Sequence, residues 1–184
     1  MRVVGGRLKG RNLASPSLRE IRPTADRLRE SLFNILIHAY DDPIRDARVL
    51  DLFAGTGALG IEAISRGAAF ALFVDNGTEA RALLRNNVEA LGLGGMTKVF
   101  RRDATNLGAA HPVEPFSLVF LDPPYHMNLA EKALASLRDG GWLKPNALLV
   151  VEEAKAAEFV APAGFEELER RVYDDTEFVF LRSA

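Results

Sequence analysis

From Val49 onward, short apolar runs alternate with stretches of helical periodicity, and this alternation constrains the chain more than any other feature. A strand that is followed by a helix and then by another strand returns parallel to the first, so the repetition specifies an α/β sheet wound by helices. Strands are expected at residues 48–53, 69–75, 97–101, 116–122 and 147–152. Helices are expected near residues 58–66, 78–91 and 129–139; in the second, Ala80, Leu83, Leu84, Val88 and Leu91 form one buried stripe. After Gly164 the pattern changes to two strand-like runs, 166–172 and 177–181, joined by Asp174 and Asp175. A two-residue polar turn joins its strands antiparallel. The fold expected is a Rossmann-like, mainly parallel seven-stranded sheet with a C-terminal antiparallel hairpin.

Ahead of this core, residues 47–184, a helix is expected over 24–40, with Thr24 as its cap and Leu28, Leu32, Ile35 and Leu36 on its buried stripe. Residues 1–23 are left as an arm. At 184 residues, with no repeat, low-complexity tract or long linker, the chain fits one domain. The start lacks a signal-peptide h-region, and the apolar run AAFALFV is far short of the ~18 residues a membrane span needs, so a soluble, cytoplasmic protein without membrane contact is expected. Cysteine is absent, which excludes disulfides, thiolate metal sites and a Cys nucleophile. His38, His111 and His126 are scattered, and no metal site is expected.

Charge is uneven. The net charge of −2 hides a first 30 residues at +5 and a remainder at −7. A basic arm on an acidic body fits either a polyanionic partner met on one face or a solvated segment.

Gly55, Gly57 and Gly60 in DLFAGTGALG satisfy GxGxxG between a strand and a helix, and Asp75 ends the next strand where a ribose-binding acid belongs. Alone, this pattern fits a dinucleotide site or a tight turn without a ligand. Asp51, at the end of the strand before the loop, separates the ligands. Its carboxylate repels a pyrophosphate but attracts the ammonium or sulfonium of S-adenosylmethionine. Asp103 in RRDA can receive an adenine amine or cap a helix, and both readings stand.

Asp122, Pro123, Pro124 and Tyr125 follow the strand FSLVFL, at the sheet edge where open α/β folds bind ligands. The two prolines remove two donors, so the turn offers carbonyl oxygens and one carboxylate. Such a cup suits an exocyclic NH2 group. Its nitrogen becomes nucleophilic when hydrogen bonds draw its lone pair out of the ring. Tyr125 offers a stacking face for an extruded base.

These motifs resemble class I S-adenosylmethionine-dependent methyltransferases that carry (D/N)PP(Y/F). VLDLFAGTGALGIEA and LDPPY are shared widely among them. The segments VVGGRLKGRNL and RPTADRLRESLFNIL resemble the RsmD family in particular, which methylates the exocyclic N2 amine of a guanine in small-subunit 16S ribosomal RNA. The resemblance covers nearly the whole chain. It implies that Asp51, Gly55 and Gly57 hold the donor, Asp75 its ribose and Asp103 its adenine, and that Asp122, Pro123 and Tyr125 form the catalytic motif. Asn76 departs from the basic residue that often follows the ribose acid. The partner implied is ribosomal RNA or the small subunit, met by Arg7, Lys9, Arg11 and Arg22, with the first three projecting together from an extended arm of a monomer. An adenine-amine methyltransferase and a non-catalytic RNA-binding assembly protein are the alternatives. Cytosine carbon-5 methylation is excluded because it needs a Cys nucleophile.

Overall fold

Alternating burial on short apolar strands divides the core in two. The strands are β1 (Arg48–Leu52), β2 (Phe70–Val74), β3 (Thr97–Phe100), β4 (Phe116–Leu121), β5 (Leu143–Ala154), β6 (Phe165–Tyr173) and β7 (Thr176–Ser183). They form one sheet in the order β3-β2-β1-β4-β5-β7-β6. The first five run parallel; β7 pairs antiparallel with β5, and β6 antiparallel with β7. This is the mainly parallel sheet and terminal hairpin that the sequence predicts. The structure is a computed structural model describing residues 1–16, 23–125 and 127–184, with Pro23 and Thr24 described by their backbone alone.

Because successive side chains point to opposite faces, each central strand feeds two clusters. Val49, Phe73, Phe120 and Val150 pack beneath α1 (Pro23–Ala39), α2 (Ala58–Ser65) and α3 (Thr78–Ala90). Leu50, Leu72, Val119 and Leu149 pack against α4 (Leu129–Gly140) and Trp142. Parity then fixes where the strand-end acids point. Asp51 and Asp122 follow the parity of Val49 and Phe120, and so face the side of α1 to α3 at the carboxyl edge of the sheet. No helix among the described residues is long and apolar enough to cross a membrane.

Two boundaries change. β5 begins at Leu143 rather than residue 147, because Pro145 and Asn146 fall where its register with β4 shifts, and proline is tolerated at such an irregularity. Helix α1 starts one residue early, at Pro23. The expected Thr24 cap, like Arg22 and His126, lies outside the described residues.

The arm is not extended. Residues 1–13 fold back as a hairpin, with Val3 N–H donating to Arg11 at 2.9 Å, Gly10 N–H donating to Val3 at 2.8 Å, and a bridge between Arg2 and Asn12. Val3, Leu8 and Leu13 are buried in the core shared with α1, α2 and α3. The hairpin docks on Glu62 of α2. This fully buried carboxylate accepts the Val4 and Gly5 N–H groups at 3.0 and 2.9 Å and pairs with Arg29 at 3.2 Å and Arg66 at 2.8 Å.

Candidate active site

The loop after β1 reverses the chain into α2 through residues in the left-handed region. Gly55 and Gly57 adopt φ of 56° and 82°, and Phe53, which has a side chain, adopts 56°. A non-glycine residue held there is strained, a feature that clusters at ligand sites. Gly60 has a different reason to be small. A Cβ there would collide with the Phe73 ring, and its N–H donates to Asp51 at 3.0 Å.

These elements wall a cavity of about 560 Å³ at the carboxyl edge of the sheet. Asp51, Gly55, Asp122 and Tyr125 line it together, and Glu152 of β5 joins them. Asp51 is buried, and loss of hydration pushes its carboxyl up to about 8; the Gly60 N–H opposes this and the Asp75 charge adds to it. Asp122 reaches solvent through the open cleft but is enclosed by protein on its other sides. Its carboxyl is therefore raised well above the usual range, first by desolvation and then by Glu152, Asp51 and Glu153. Tyr125 is 42% exposed, with its hydroxyl 3.3 Å from Thr176 Oγ1 on the terminal hairpin. Pro123 is buried.

Asp75 sits to one side of the cavity. Its two oxygens accept the N–H groups of Gly55 at 3.0 Å and Gly77 at 2.8 Å. A carboxylate has about four acceptor sites, so this anchoring orients the group and leaves capacity for two hydroxyls. Asp103 differs more. β3 ends at Phe100, and the Asp103 carboxylate accepts both the N–H and the hydroxyl of Thr105, at 2.8 and 2.7 Å. That engagement lowers its carboxyl below the usual range. The expected helix does not follow: residues 104–105 form a turn, and Asp103 caps that turn instead.

The cations of the arm do not gather at this site. Arg7 donates its backbone N–H to Ser65, the last residue of α2, at 2.9 Å and its guanidinium to Met96 Sδ at 3.5 Å. Arg11 donates to the carbonyl of Ala90, the last residue of α3, at 3.1 Å. Eight residues of α2 span about 12 Å, so the Arg7 backbone lies about that far from the glycine loop. The other end of the hairpin is the one that reaches the cavity: Met1 lines it, with Sδ 3.7 Å from Thr56 Oγ1. Lys9 is exposed beside Asp26 and Glu30 of α1, lining a surface groove with them.

The donor set fits an S-adenosylmethionine-sized ligand with a cationic centre. The cavity is walled by carboxylates with raised proton affinity, and a Cβ built at Gly55 meets nothing within 4 Å, leaving the loop open on that side. A family model described as "Conserved hypothetical protein 95" matches residues 1–182. The chain belongs to that family. Ribosomal RNA small subunit methyltransferase D of Escherichia coli K12 is 40% identical over 152 residues, covering 83% of this chain and 74% of that protein. The protein of the same name from Haemophilus influenzae is 37% identical, covering 88% and 83%. The solved structure of yhhF from Escherichia coli superposes with a TM-score of 0.83 at 33% identity, covering 100% of this chain and 97% of that one. The resemblance to the RsmD family and the class I methyltransferase fold both hold.

Within that family frame, one cavity residue escaped the sequence reading. Glu152 closes the apolar run ALLVV as Asp122 closes FSLVFL, the same signal of an acid at a buried strand's carboxyl end.

Proposed function

We propose that the chain is an S-adenosylmethionine-dependent methyltransferase acting on the exocyclic N2 amine of a guanine in small-subunit ribosomal RNA. The observation that carries this reading is the juxtaposition, in one cavity, of Asp51 beside the glycine loop and Asp122 at the head of a donor-free proline turn. The names of the relatives supply the ribosomal RNA. When bound, S-adenosylmethionine supplies an electrophilic methyl on a sulfonium.

Asp51 faces the cationic part of the donor, and Asp75 takes its ribose hydroxyls. Asp122 and the Pro123 carbonyl accept the two N–H bonds of the target amine, pulling its lone pair out of the ring and toward the methyl. The nitrogen would take the methyl that the bound donor supplies, the sulfonium leaving as a neutral thioether, and it would give up one proton toward the Asp122 carboxylate. Tyr125 stacks on the base. Most of the acceleration comes from proximity and alignment. Every residue lining the cavity belongs to one chain, so the proposed chemistry calls on no side chain of a second copy.

Small-subunit ribosomal RNA from cells lacking the gene, incubated with the protein and labelled donor, should acquire one methylated guanine, located by nuclease mapping and mass spectrometry. Label on adenine, or none, overturns the reading.

A further inference from the structure

Asp122 and Glu152 stand side by side. Leu121 pairs with Val151 in the parallel register of β4 and β5, so Asp122 and Glu152 occupy the next step on adjacent strands, which lie about 4.8 Å apart. Both follow the parity of Phe120 and Val150, so both side chains leave the same face, and both line the same cavity. Glu152 is half-buried, and no hydrogen bond or ion pair holds its carboxylate among the described residues. Arg29 of α1 and Met1 also line the cavity, but the Arg29 guanidinium is taken up by Glu62, Asp26 and the Arg2 carbonyl, and no cation pairs with Glu152 among the described residues. Asp51 and Asp122 face it from β1 and the proline turn, while Tyr125, Thr176 and Phe178 line the other sides. Burial pushes Glu152 up to about 7.

A half-buried carboxylate that the protein leaves without a donor, next to a second one, is a pair of acceptors awaiting two adjacent donors. The Watson–Crick edge of guanine presents such a pair: the N2 amine, and beside it the N1–H. Adenine and cytosine present an amine beside a ring nitrogen that is itself an acceptor. An acceptor facing that nitrogen leaves two lone pairs opposed and a buried polar group unpaired.

We propose that Glu152 is the residue that selects guanine: its carboxylate accepts the N1–H while Asp122 accepts the N2 amine. The proposal rests on the methyltransferase reading above and adds the specificity of its base pocket. Repulsion between the two carboxylates, unfavourable in the empty site, is relieved when the two donors arrive, so the pocket favours a base that brings both.

The test uses small-subunit RNA assembled by ligation with either guanine or 2-aminopurine at the nucleotide the wild-type protein methylates. 2-Aminopurine keeps the N2 amine but carries a lone pair at N1. Wild type should prefer guanine by ten- to a hundredfold in kcat/KM, the value of one hydrogen bond to a charged group. Glu152→Gln keeps the shape and adds an N–H. It should lose on guanine and gain on 2-aminopurine, bringing the two within a few-fold. Glu152→Ala should lose on guanine with no gain on 2-aminopurine.

S-adenosylmethionine affinity and melting temperature should stay within two-fold and 3 °C of wild type for Glu152→Gln. An unchanged guanine to 2-aminopurine ratio in Glu152→Gln overturns the proposal. So does a loss confined to donor affinity, which would make Glu152 a donor ligand. If the wild-type protein transfers no methyl to the guanine RNA, the methyltransferase reading itself falls, an outcome separate from an unchanged ratio in an active enzyme.

Discussion

Asp51 is the residue whose chemistry is most altered by its place in the fold. In an unfolded chain it ionises near 3.8, whereas in the folded, empty protein burial holds the proton until about pH 8. A carboxyl raised on folding contributes stability in full at low pH, and that contribution is lost as pH rises through the window from about 4 to about 8. Asp51→Asn lacks this loss, so its melting temperature relative to wild type should be higher at pH 8 than at pH 4; a constant difference across pH would remove the buried-acid account. A cationic donor reverses the preference by stabilising the carboxylate. Donor binding should therefore release a proton, and affinity should climb with pH between about 5 and 8 by no more than tenfold per unit. Calorimetry in buffers of different ionisation enthalpy reads that proton directly. At Asp122 the contact proposed is with the reacting amine. Asp122→Ala should keep donor affinity nearly intact while single-turnover transfer falls by orders of magnitude; a rate within two-fold of wild type would take the residue out of the chemistry.

At the level of elements, the sheet was readable because strands buried on both faces spell themselves as apolar runs, and each run ends in the acid or glycine that starts the next turn. The proline turn and the glycine loop were legible for the same reason: both are strand ends, and they meet at one cavity. Two things were not. Pro145 and Asn146 read as a stop, but β5 passes through them where its pairing with β4 shifts. The arm reads as a basic segment that is either solvated or met by a polyanion, since Val3, Leu8 and Leu13 are spaced for neither helix nor strand, and only their packing on α2 reveals them as core. Beside its apolar contacts and its hydrogen bonds to Ser65 and Asn87, one long-range charged residue holds that hairpin. Glu62 gathers two backbone N–H groups and two guanidiniums at a fully buried position, with Arg29 and Arg66 only 5% and 11% exposed in their side chains. Removing one partner of a buried charge pair leaves the other uncompensated, so Glu62→Ala should destabilise by about 3–5 kcal/mol. In a domain of this size that lowers the melting temperature by roughly 6–20 °C. A shift under 3 °C would mean the hairpin is held by its apolar contacts and its hydrogen bonds to Ser65 and Asn87 without help from Glu62.

Across the whole molecule, charge sets how a polyanion can approach. The cavity presents Asp51, Asp122 and Glu152, and the hairpin turn beside it adds Asp174 and Asp175, so phosphates are repelled from the mouth while a base is admitted. Compensation must come from elsewhere, and the first 30 residues carry +5 against −7 on the rest. Arg7, Lys9 and Arg11 are exposed, and none has a carboxylate within ion-pair distance among the described residues; the partners of Arg7 and Arg11 are the neutral Met96 sulfur and the Ala90 carbonyl. Cations left uncompensated on a rigid hairpin suit phosphates better than they suit folding. Each phosphate they neutralise steepens log affinity against log salt by about 0.7 for single strands and about 0.9 for duplex. Replacing all three with alanine should therefore flatten that slope by roughly 2 to 2.7 with intact small-subunit RNA. Because Arg7 is anchored at the far end of α2, an RNA too short to reach from the cavity past that helix should bind wild type and triple mutant with the same slope. The donor constant should not move for either, since none of the three lines the cavity. If the long RNA also gives an unchanged slope, the hairpin is a structural brace, and the phosphates are met by another face of the molecule.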